Sequence, residues 1–172
     1  SREISMKIIA AINKELQTEL PDQIGRYDDS YNINCFGDRF SSLGVPTILI
    51  EAGHFQNDYF RNLTAKFILK SLIDAIKVIS NGDYNNYMVD QYLNIPENSK
   101  NYSDLLITGV CISDNGKVYN NQELVVNFKE ILISYKIEFI PFMIEYSDSW
   151  KGLSHNIIDI NSTGIKNKIV FD

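Results

Sequence analysis

The chain has 172 residues, a hydrophobic fraction of 44% and a net charge of −6, from 16 Lys and Arg against 22 Asp and Glu. This composition is ordinary for a globular protein with a buried core, in one domain or two small ones. Because the charge is acidic and no basic cluster stands out, nucleic acid and membranes are not expected as partners. No apolar run approaches the roughly 18 residues of a membrane span and no signal peptide is visible, which predicts a cytoplasmic location.

The chain begins with a segment that is typical of an amphipathic helix. Apolar side chains recur at four-residue spacing, and Lys and Glu occupy the other faces. The apolar positions are Ile4, Ile8, Ile12, Leu16 and Leu20. Pro21 limits the helix, one face of which is expected to lie against a core.

Residues 22 to 44 have a polar and aromatic composition that is typical of a connection between elements. Tyr31, Ile33 and Cys35 alternate, which favours a short strand, and a short helix is expected from Gly37 to Gly44. Loops carry binding and catalytic residues more often than cores do. The segment is therefore either a functional loop or a solvated connection whose tyrosines cover the core.

The stretch from Val45 to Ile50 is rich in β-branched residues without clean alternation, which is typical of a central strand buried on both faces. Glu51 then places a carboxylate at the strand end, and Ala52-Gly53 interrupts the run. A strand, an acid, a tight turn and a helix in this order present a functional group at the carboxyl edge of a sheet in α/β proteins. Glu51 is either such a group or a solvated strand end.

A long amphipathic helix is predicted after this turn, with Asn57 as its N-cap and Asp58 favourable in its first turn. Asn81-Gly82 supplies a C-terminal signal, and a short helix is expected from Tyr84 to Leu93. The apolar positions of the long helix are Phe60, Leu63, Phe67, Ile68, Leu72, Ile73, Ile76 and Ile79.

After residue 100 the pattern changes from helices to strands. Leu105 to Ile112 predicts one strand, and Asn115-Gly116 is a strong signal for a two-residue hairpin turn. A strict alternation follows, whose apolar members are expected in a small core: Ile131, Ile133, Tyr135, Ile137 and Phe139. The predicted fold class is α/β, with an α/β segment at 1–82 and a small mostly-β domain at 83–172.

Two stretches of the sequence carry a resemblance to a known family. The run from Gly25 to Asn32, followed by Gly37-Asp38, and the run from Leu43 to Phe55 resemble the C-terminal part of M14-type zinc carboxypeptidases. The similarity is greatest to a bacterial branch with a small C-terminal extension, and it covers roughly residues 1 to 80. The fold that it implies is the C-terminal part of a zinc-carboxypeptidase-like α/β domain, followed by a small mostly-β domain.

The resemblance implies roles for five residues. In that family a carboxylate at the end of a central strand acts as general base toward zinc-bound water and then returns the proton to the leaving amine; Glu51 matches it. A tyrosine on the preceding loop caps the substrate, and Tyr31 matches it better than Tyr27. Arg26 and His54 are near enough in sequence to line the same pocket, although His54 is as well explained by bonds to the turn backbone. The implied substrate is a peptide or a small amino-acid-derived molecule.

The zinc ligands of the family have no match in this chain. The family binds zinc through a His-x-x-Glu pair and a later His, all upstream of the position that Tyr31 matches. The two histidines here, His54 and His155, both follow Tyr31, and neither has Glu three residues later. Cys35 and Cys111 lack metal-ligand spacing and are expected to be reduced and buried. Since a catalytic zinc needs three protein ligands, zinc is expected in a longer parent enzyme and no metal in this chain alone.

Two functions of different class follow. In the first, the chain is the C-terminal portion of a zinc-dependent metallocarboxypeptidase-like hydrolase and contributes the general acid/base and the capping loop. In the second, it is a non-catalytic binding or structural module on a carboxypeptidase-like scaffold. Because a central strand without neighbours exposes unpaired edges, self-association is expected through residues 31 to 55, unless the β part folds back over the strand.

Overall fold

A computed structural model of the chain describes residues 1–28 and 30–163, together with the backbone of residues 168–171. The chain divides into two compact units, Ser1–Ser99 and Lys100–Asp172. The first unit is helical and the second is built on a β-sheet, so the fold is mixed α/β. No helix among the described residues is long and apolar enough to cross a membrane.

The first helix organises the first unit. The helices are α1 (Arg2–Leu16), α2 (Phe36–Ser42), α3 (Asn62–Asn81) and α4 (Val89–Leu93), with a 3₁₀ turn at Asp83–Asn86. Helix α1 contacts α3, α4 and the 3₁₀ turn. Ile8, Ile12 and Leu16 are buried on α1, and Ala75 and Val78 of α3 pack against them. The predicted apolar face of the first helix is confirmed.

The division between the units lies later than the sequence pattern indicated. We expected it after residue 82, but the 3₁₀ turn and α4 pack on α1. Ile95 is buried at 4% exposure, and Arg26 and Glu97 form an isolated parallel bridge. Residues 83–99 therefore lie in the helical unit, because their short elements complete its packing.

The N-terminus of α3 differs from the prediction. The helix begins at Asn62, so the prediction that Asn57 is its N-cap is wrong. The carboxylate of Asp58 instead accepts hydrogen bonds from the N–H groups of Leu63 at 3.1 Å and Thr64 at 2.7 Å. An acid that precedes the helix thereby satisfies two of the N–H groups that a helix start leaves unpaired.

The other helix predictions agree with the structure. Helix α3 ends at Asn81, and the residue that caps it, Gly82, has a left-handed backbone with φ of 73°, as the C-terminal signal indicated. Helix α2 accounts for the short helix expected before Gly44, and the 3₁₀ turn with α4 accounts for the one expected from Tyr84 to Leu93. These elements follow from local period and turn chemistry.

The stretch from Val45 to Ile50 is not a strand. Within the described residues it pairs with no other strand, and the expected strand at Tyr31–Cys35 is also absent. Val45 and Leu49 are 46% and 64% exposed, although both faces of this stretch were expected to be buried. β-Branched residues favour a pleated surface only where a neighbouring strand supplies ladder bonds. The described part of the first unit offers no such neighbour.

The second unit is built on a mixed β-sheet. Its strands are β1 (Tyr102–Asp114), β2 (Lys117–Ile133), β3 (Lys136–Ser147), β4 (Leu153–Asp159) and β5 (Lys168–Phe171), with the short helix α5 (Ile160–Thr163) before β5. Strands β3, β2, β1 and β4 lie side by side in that order, and β5 pairs with β1. The first three strands are antiparallel, whereas β4 and β5 run parallel to β1. The strand predicted at Leu105–Ile112 is confirmed as part of β1.

Two hairpin turns connect the antiparallel strands. Asn115 and Gly116, with φ of 47° and 77°, join β1 to β2, which confirms the predicted turn. Ser134 and Tyr135, with φ of 47° and 66°, form a second turn between β2 and β3. No Asn-Gly pair marks this turn, and the alternation of apolar residues continues through it.

The predicted core of the β unit is wrong because of this second turn. Ile131 and Ile133 lie on one face of the β2–β3 hairpin, whereas Ile137 and Phe139 lie on the other. Tyr135 is fully exposed in the turn itself. The buried core lies instead where β1 and β2 pair, at Val110, Ile112, Leu124 and Val126.

Candidate functional site

Glu51 begins the turn that leads into α3. Its side chain is exposed and forms no hydrogen bond or ion pair with another described residue. Arg61 holds the turn, since its Nη2 donates to the carbonyl oxygens of Ala52 at 2.6 Å and Gly53 at 3.2 Å. The backbone after Glu51 is thus fixed to the start of α3, while the carboxylate remains in solvent.

Asp58 is the buried acid of the same turn, with 7% of its surface exposed. Its carboxylate also accepts the hydroxyl of Thr64 at 2.8 Å, beside the two N–H groups of α3. Burial acts to raise the pKa of Asp58, but the hydrogen bonds from Thr64 and Leu63 outweigh it and lower the pKa below its ordinary value. Asp58 is therefore a charged anchor, a role that the sequence indicated only as a favourable first-turn acid.

Arg26 fixes one end of the loop that carries the candidate capping tyrosines. Its Nε donates to the carbonyl oxygen of Ile95 at 2.7 Å, and its Nη2 lies 3.5 Å from the Glu97 carboxylate. Its guanidinium also lies 5.8 Å from the centroid of the Tyr92 ring. These contacts give Arg26 a packing role against residues 92–98, which competes with the expected position beside a substrate.

Tyr27 and Tyr31 lie on this loop with 57% and 58% of their surfaces exposed. The far end of the loop is closed by Asp38 of α2, whose carboxylate accepts the N–H of Asn32 at 2.8 Å. The loop is therefore tied at both ends while both phenol rings remain available to a ligand.

The structure brings together only some of the candidate residues. Glu51 and His54 occupy the same exposed turn, whereas Tyr27 and Tyr31 lie on the earlier loop. No hydrogen bond among the described residues joins Glu51 to either tyrosine. The arrangement offers an accessible proton acceptor on one segment and phenol hydrogen-bond donors on another.

The described side chains do not form a zinc site. No group of three or more His, Cys, Asp or Glu lies together within the part of the chain that the structure describes. His54 belongs to the first unit, and His155 belongs to the second, where it packs edge-on against Tyr102 with ring centroids 4.8 Å apart. Cys35 is exposed and Cys111 is half-buried, so the predicted burial of both is wrong. These residues do not fit a catalytic zinc, which needs three protein ligands.

No protein-family model matches the chain, and no curated protein or solved structure matches it. The likeness to zinc carboxypeptidases therefore depends on the residues from Gly25 to Asn32, on Gly37-Asp38 and on the run from Leu43 to Phe55, and it stays a prediction.

An apolar groove of about 480 Å³ lies next to the stretch that leads to Glu51. Its lining comes from α1, α3, the 3₁₀ turn and the stretch 45–50: Ile4, Ile8, Pro46, Ile48, Ile50, Leu72, Ala75, Ile79 and Tyr84. Helix α3 also exposes an apolar row made of Leu69, Leu72, Ile73, Ile76 and Ile79, each between 41% and 66% exposed. Four of these residues, all except Leu69, belong to the apolar positions predicted for this helix, so this part of the predicted apolar face is exposed.

Proposed function

We propose that this chain is part of a zinc-dependent metallocarboxypeptidase-like hydrolase, to which it contributes a general acid/base and a substrate-capping loop. Glu51 is the acid/base, and Tyr31 or Tyr27 is the capping residue. The substrate is a peptide or a small amino-acid-derived amide. Because the described residues of this chain do not fit zinc, the metal ligands in this proposal come from residues outside it.

The observation that carries this proposal is the free carboxylate of Glu51 on a turn of fixed geometry. Arg61 bonds to the carbonyl oxygens of Ala52 and Gly53, and Asp58 ties the same turn to α3. A general base must reach its proton within hydrogen-bond distance, which favours a fixed backbone and an unengaged carboxylate. In the proposed reaction Glu51 accepts a proton from the attacking water and delivers it to the amine as the C–N bond breaks.

The apolar groove supports the proposal in a second way. Ile48 and Ile50 line the groove and lead directly to Glu51. A further layer of protein over this surface would exclude water from the neighbourhood of the carboxylate, which strengthens electrostatic interactions inside a site. The exposed apolar row of α3 is the kind of surface that such a layer covers.

A non-catalytic binding or structural module is the second candidate function. The same apolar row of α3 favours it, since contiguous apolar surface of more than a few hundred Å² often marks a protein contact site. The two functions differ in what they need from Glu51, because only the hydrolase depends on its carboxylate.

The test is hydrolysis of N-acylated dipeptides by the natural protein that contains this sequence, with zinc supplied. Glu51→Gln keeps the side-chain shape and removes the base, so we expect kcat to fall by at least roughly 10²-fold while zinc content is retained. Glu15→Gln is the matched control, since it removes a carboxylate from the exposed side of α1. Tyr31→Phe and Tyr27→Phe then identify the capping residue as the one whose loss raises KM.

Full activity in Glu51→Gln, measured beside an active parent, would contradict the role of Glu51. A natural protein that binds no zinc and cleaves none of these peptides would favour the binding module instead.

A further inference from the structure

Strands β2 and β3 form a ribbon that extends past the rest of the sheet. The pairing of β2 with β1 ends at Val126, opposite Leu105. From there to the turn at residues 134–135, β2 and β3 pair only with each other within the described residues. We call residues 128–141 the β2–β3 ribbon. A two-stranded ribbon of this kind is marginally stable in water unless one face is covered.

One face of the ribbon is apolar and continues the core of the unit outwards. Residues paired across β2 and β3 share a face, so the face of Leu124 and Val126 continues along every second residue. We call this continuation the ribbon stripe; its members are Phe128, Leu132, Ile137, Phe139 and Pro141, with Glu130 as its charged residue. Apart from Pro141, its apolar members are between 39% and 71% exposed.

The opposite face of the ribbon is mixed rather than apolar. There Lys129 pairs with Ile140, Ile131 with Glu138, and Ile133 with Lys136. Each apolar side chain on this face stands opposite a charged one, which is the pattern of a surface in contact with water. The two faces therefore differ in chemistry, and among the described residues the ribbon stripe is the face left without the cover that its composition requires.

We propose that the ribbon stripe is the interface with a second copy of this chain, with the two stripes stacked face to face across a two-fold axis. Half-exposed side chains of this size leave on the order of 500 Å² of apolar surface on each stripe. Two stripes together bury on the order of 1,000 Å², which is about the minimum for a specific interface. Because a two-fold contact uses the same patch on both copies, the assembly closes as a dimer.

Other occupants fit the stripe less well. Pairing of two β3 edges is disfavoured because Pro141 removes an N–H donor from that outer strand. An anionic lipid surface is disfavoured by the net charge of −6 and by Glu130 and Glu138 on the ribbon.

Glu130 is the one feature of the stripe that opposes the dimer. Its carboxylate would lose hydration in the contact between the two stripes, so its charge weakens association.

Sedimentation velocity of the 172-residue chain at micromolar concentration tests the proposal. We expect a dimer whose Kd rises at least about tenfold in Leu132→Glu and in Phe139→Glu, because a charge then enters the apolar contact. Ile133→Glu is the matched control: it is the neighbouring position, exposed on the opposite face, and is expected to leave the dimer intact. Glu130→Gln is expected to lower Kd.

Circular dichroism confirms that each variant retains its sheet; if Leu132→Glu fails to fold, Phe139→Glu and Glu130→Gln decide the question. A chain that stays monomeric overturns the proposal, and so does a dimer that persists in both stripe variants. Dissociation by Leu49→Glu but not by the stripe variants would place the contact at residues 45–50 instead. A monomer that binds phosphatidylcholine–phosphatidylserine vesicles in a Leu132-dependent way would make the stripe a lipid surface and overturn the dimer.

Discussion

At the scale of single residues, the backbone around Glu51 is held by charged side chains rather than by a sheet. Arg61 reaches back to two carbonyl oxygens of the turn, and Asp58 reaches forward to the first N–H groups of α3. Both side chains come from the few residues between the turn and the helix. The geometry of the candidate site therefore depends on local bonds that single substitutions can remove.

Removal of the Arg61 contacts is expected to loosen the Glu51 turn. Because the Arg61 side chain is exposed, Arg61→Gln should lower the free energy of unfolding by only about 0.5–1.5 kcal/mol. Amide hydrogen exchange at residues 52–58 should nevertheless become faster. Lys66→Gln removes the same charge from an exposed position of α3 and should change neither quantity. Unchanged exchange in Arg61→Gln would mean that the turn is held by other contacts.

Asp58 is expected to link stability to pH. The pKa of Asp58 in the folded state lies below its ordinary value, because the ionised carboxylate is hydrogen-bonded there. The stability that this carboxylate contributes is fully present above the pKa of an unfolded Asp, about 3.9. It is lost as the pH falls through the lower folded-state pKa. Asp58→Asn should lower the Tm by about 4–8 °C at neutral pH, as the loss of a helix cap does in a domain of this size. The difference in Tm between Asp58→Asn and the unsubstituted chain should shrink in acid, where the carboxylate is protonated.

Thermal melts from neutral pH down to strongly acidic pH provide the measurement. Asp22→Asn is the control, because Asp22 is exposed and its carboxylate accepts no hydrogen bond among the described residues. A Tm difference for Asp58→Asn that stays constant across this pH range would show that its ionised form does not stabilise the fold.

Sequence patterns account for some contacts of single residues and not for others. The roles of Glu51 and the tyrosines stay predictions: an acid after a β-branched run indicates the first, and the family resemblance implies the others. The contacts of Arg26 were not predictable, since its partners Ile95 and Glu97 lie about 70 residues away and no local pattern connects them. Asp58 was interpretable only as a favourable charge, because its capping geometry depends on where α3 begins.

At the scale of elements, the turn between β2 and β3 carries unfavourable residues. Ser134 and Tyr135 both have positive φ, a conformation that a two-residue hairpin turn requires and that Asn and Gly adopt most easily. The turn between β1 and β2 meets the same requirement with Asn115 and Gly116. The two hairpins therefore differ in how well their sequences suit their turns.

Tyr135→Gly is expected to stabilise the second hairpin. Tyr135 is fully exposed, so its ring contributes no burial that the substitution would remove. Relief of the left-handed backbone should raise the free energy of unfolding by about 0.5–1 kcal/mol, after the entropic cost of glycine is subtracted. Urea unfolding measures the change, and Tyr135→Ala, which keeps the Cβ, should give no gain. Equal effects of Gly and Ala would assign the change to the tyrosine ring.

The elements were predictable where the signal is local. The period of α1, the Gly82 end of α3 and the Asn115-Gly116 turn are decided by neighbouring residues, and the structure agrees with them. The stretch from Val45 to Ile50 was mispredicted because a strand needs a partner that composition does not report. The second hairpin was missed because a two-residue turn does not interrupt an alternation of apolar residues.

At the scale of the whole molecule, we expect this chain alone to be inactive as a hydrolase. The two histidines lie in different units, and the described residues hold no cluster of three metal-binding side chains. Elemental analysis should therefore find less than stoichiometric zinc, and N-acylated dipeptides should stay intact. Stoichiometric zinc with hydrolysis that Glu51→Gln abolishes would contradict this expectation and would require ligands that the sequence does not suggest.

The mixed α/β class and the change from helices to strands were predictable from the sequence, whereas the arrangement of the sheet was not. Because a hairpin joins neighbours in the chain, the Asn115-Gly116 signal predicts the pairing of β1 with β2, whereas no such signal marks the turn between β2 and β3. The parallel pairing of β1 with β4 joins Tyr102 to Leu153, and no local pattern marks that contact. Long-range pairing is where a single sequence carries the least information.

The two edges of β1 are completed at different times during synthesis. A ribosome delivers β2 immediately after β1, but β4 and β5 emerge only after β3, and they pair with the other edge at Leu153 and Lys168. Until then that edge is open in a partly formed domain. Because distant parallel pairings form slowly, we expect closure of this edge to be the slowest step in folding of the unit. Until it closes, the open edge of β1 would be a template on which a strand of another chain could pair.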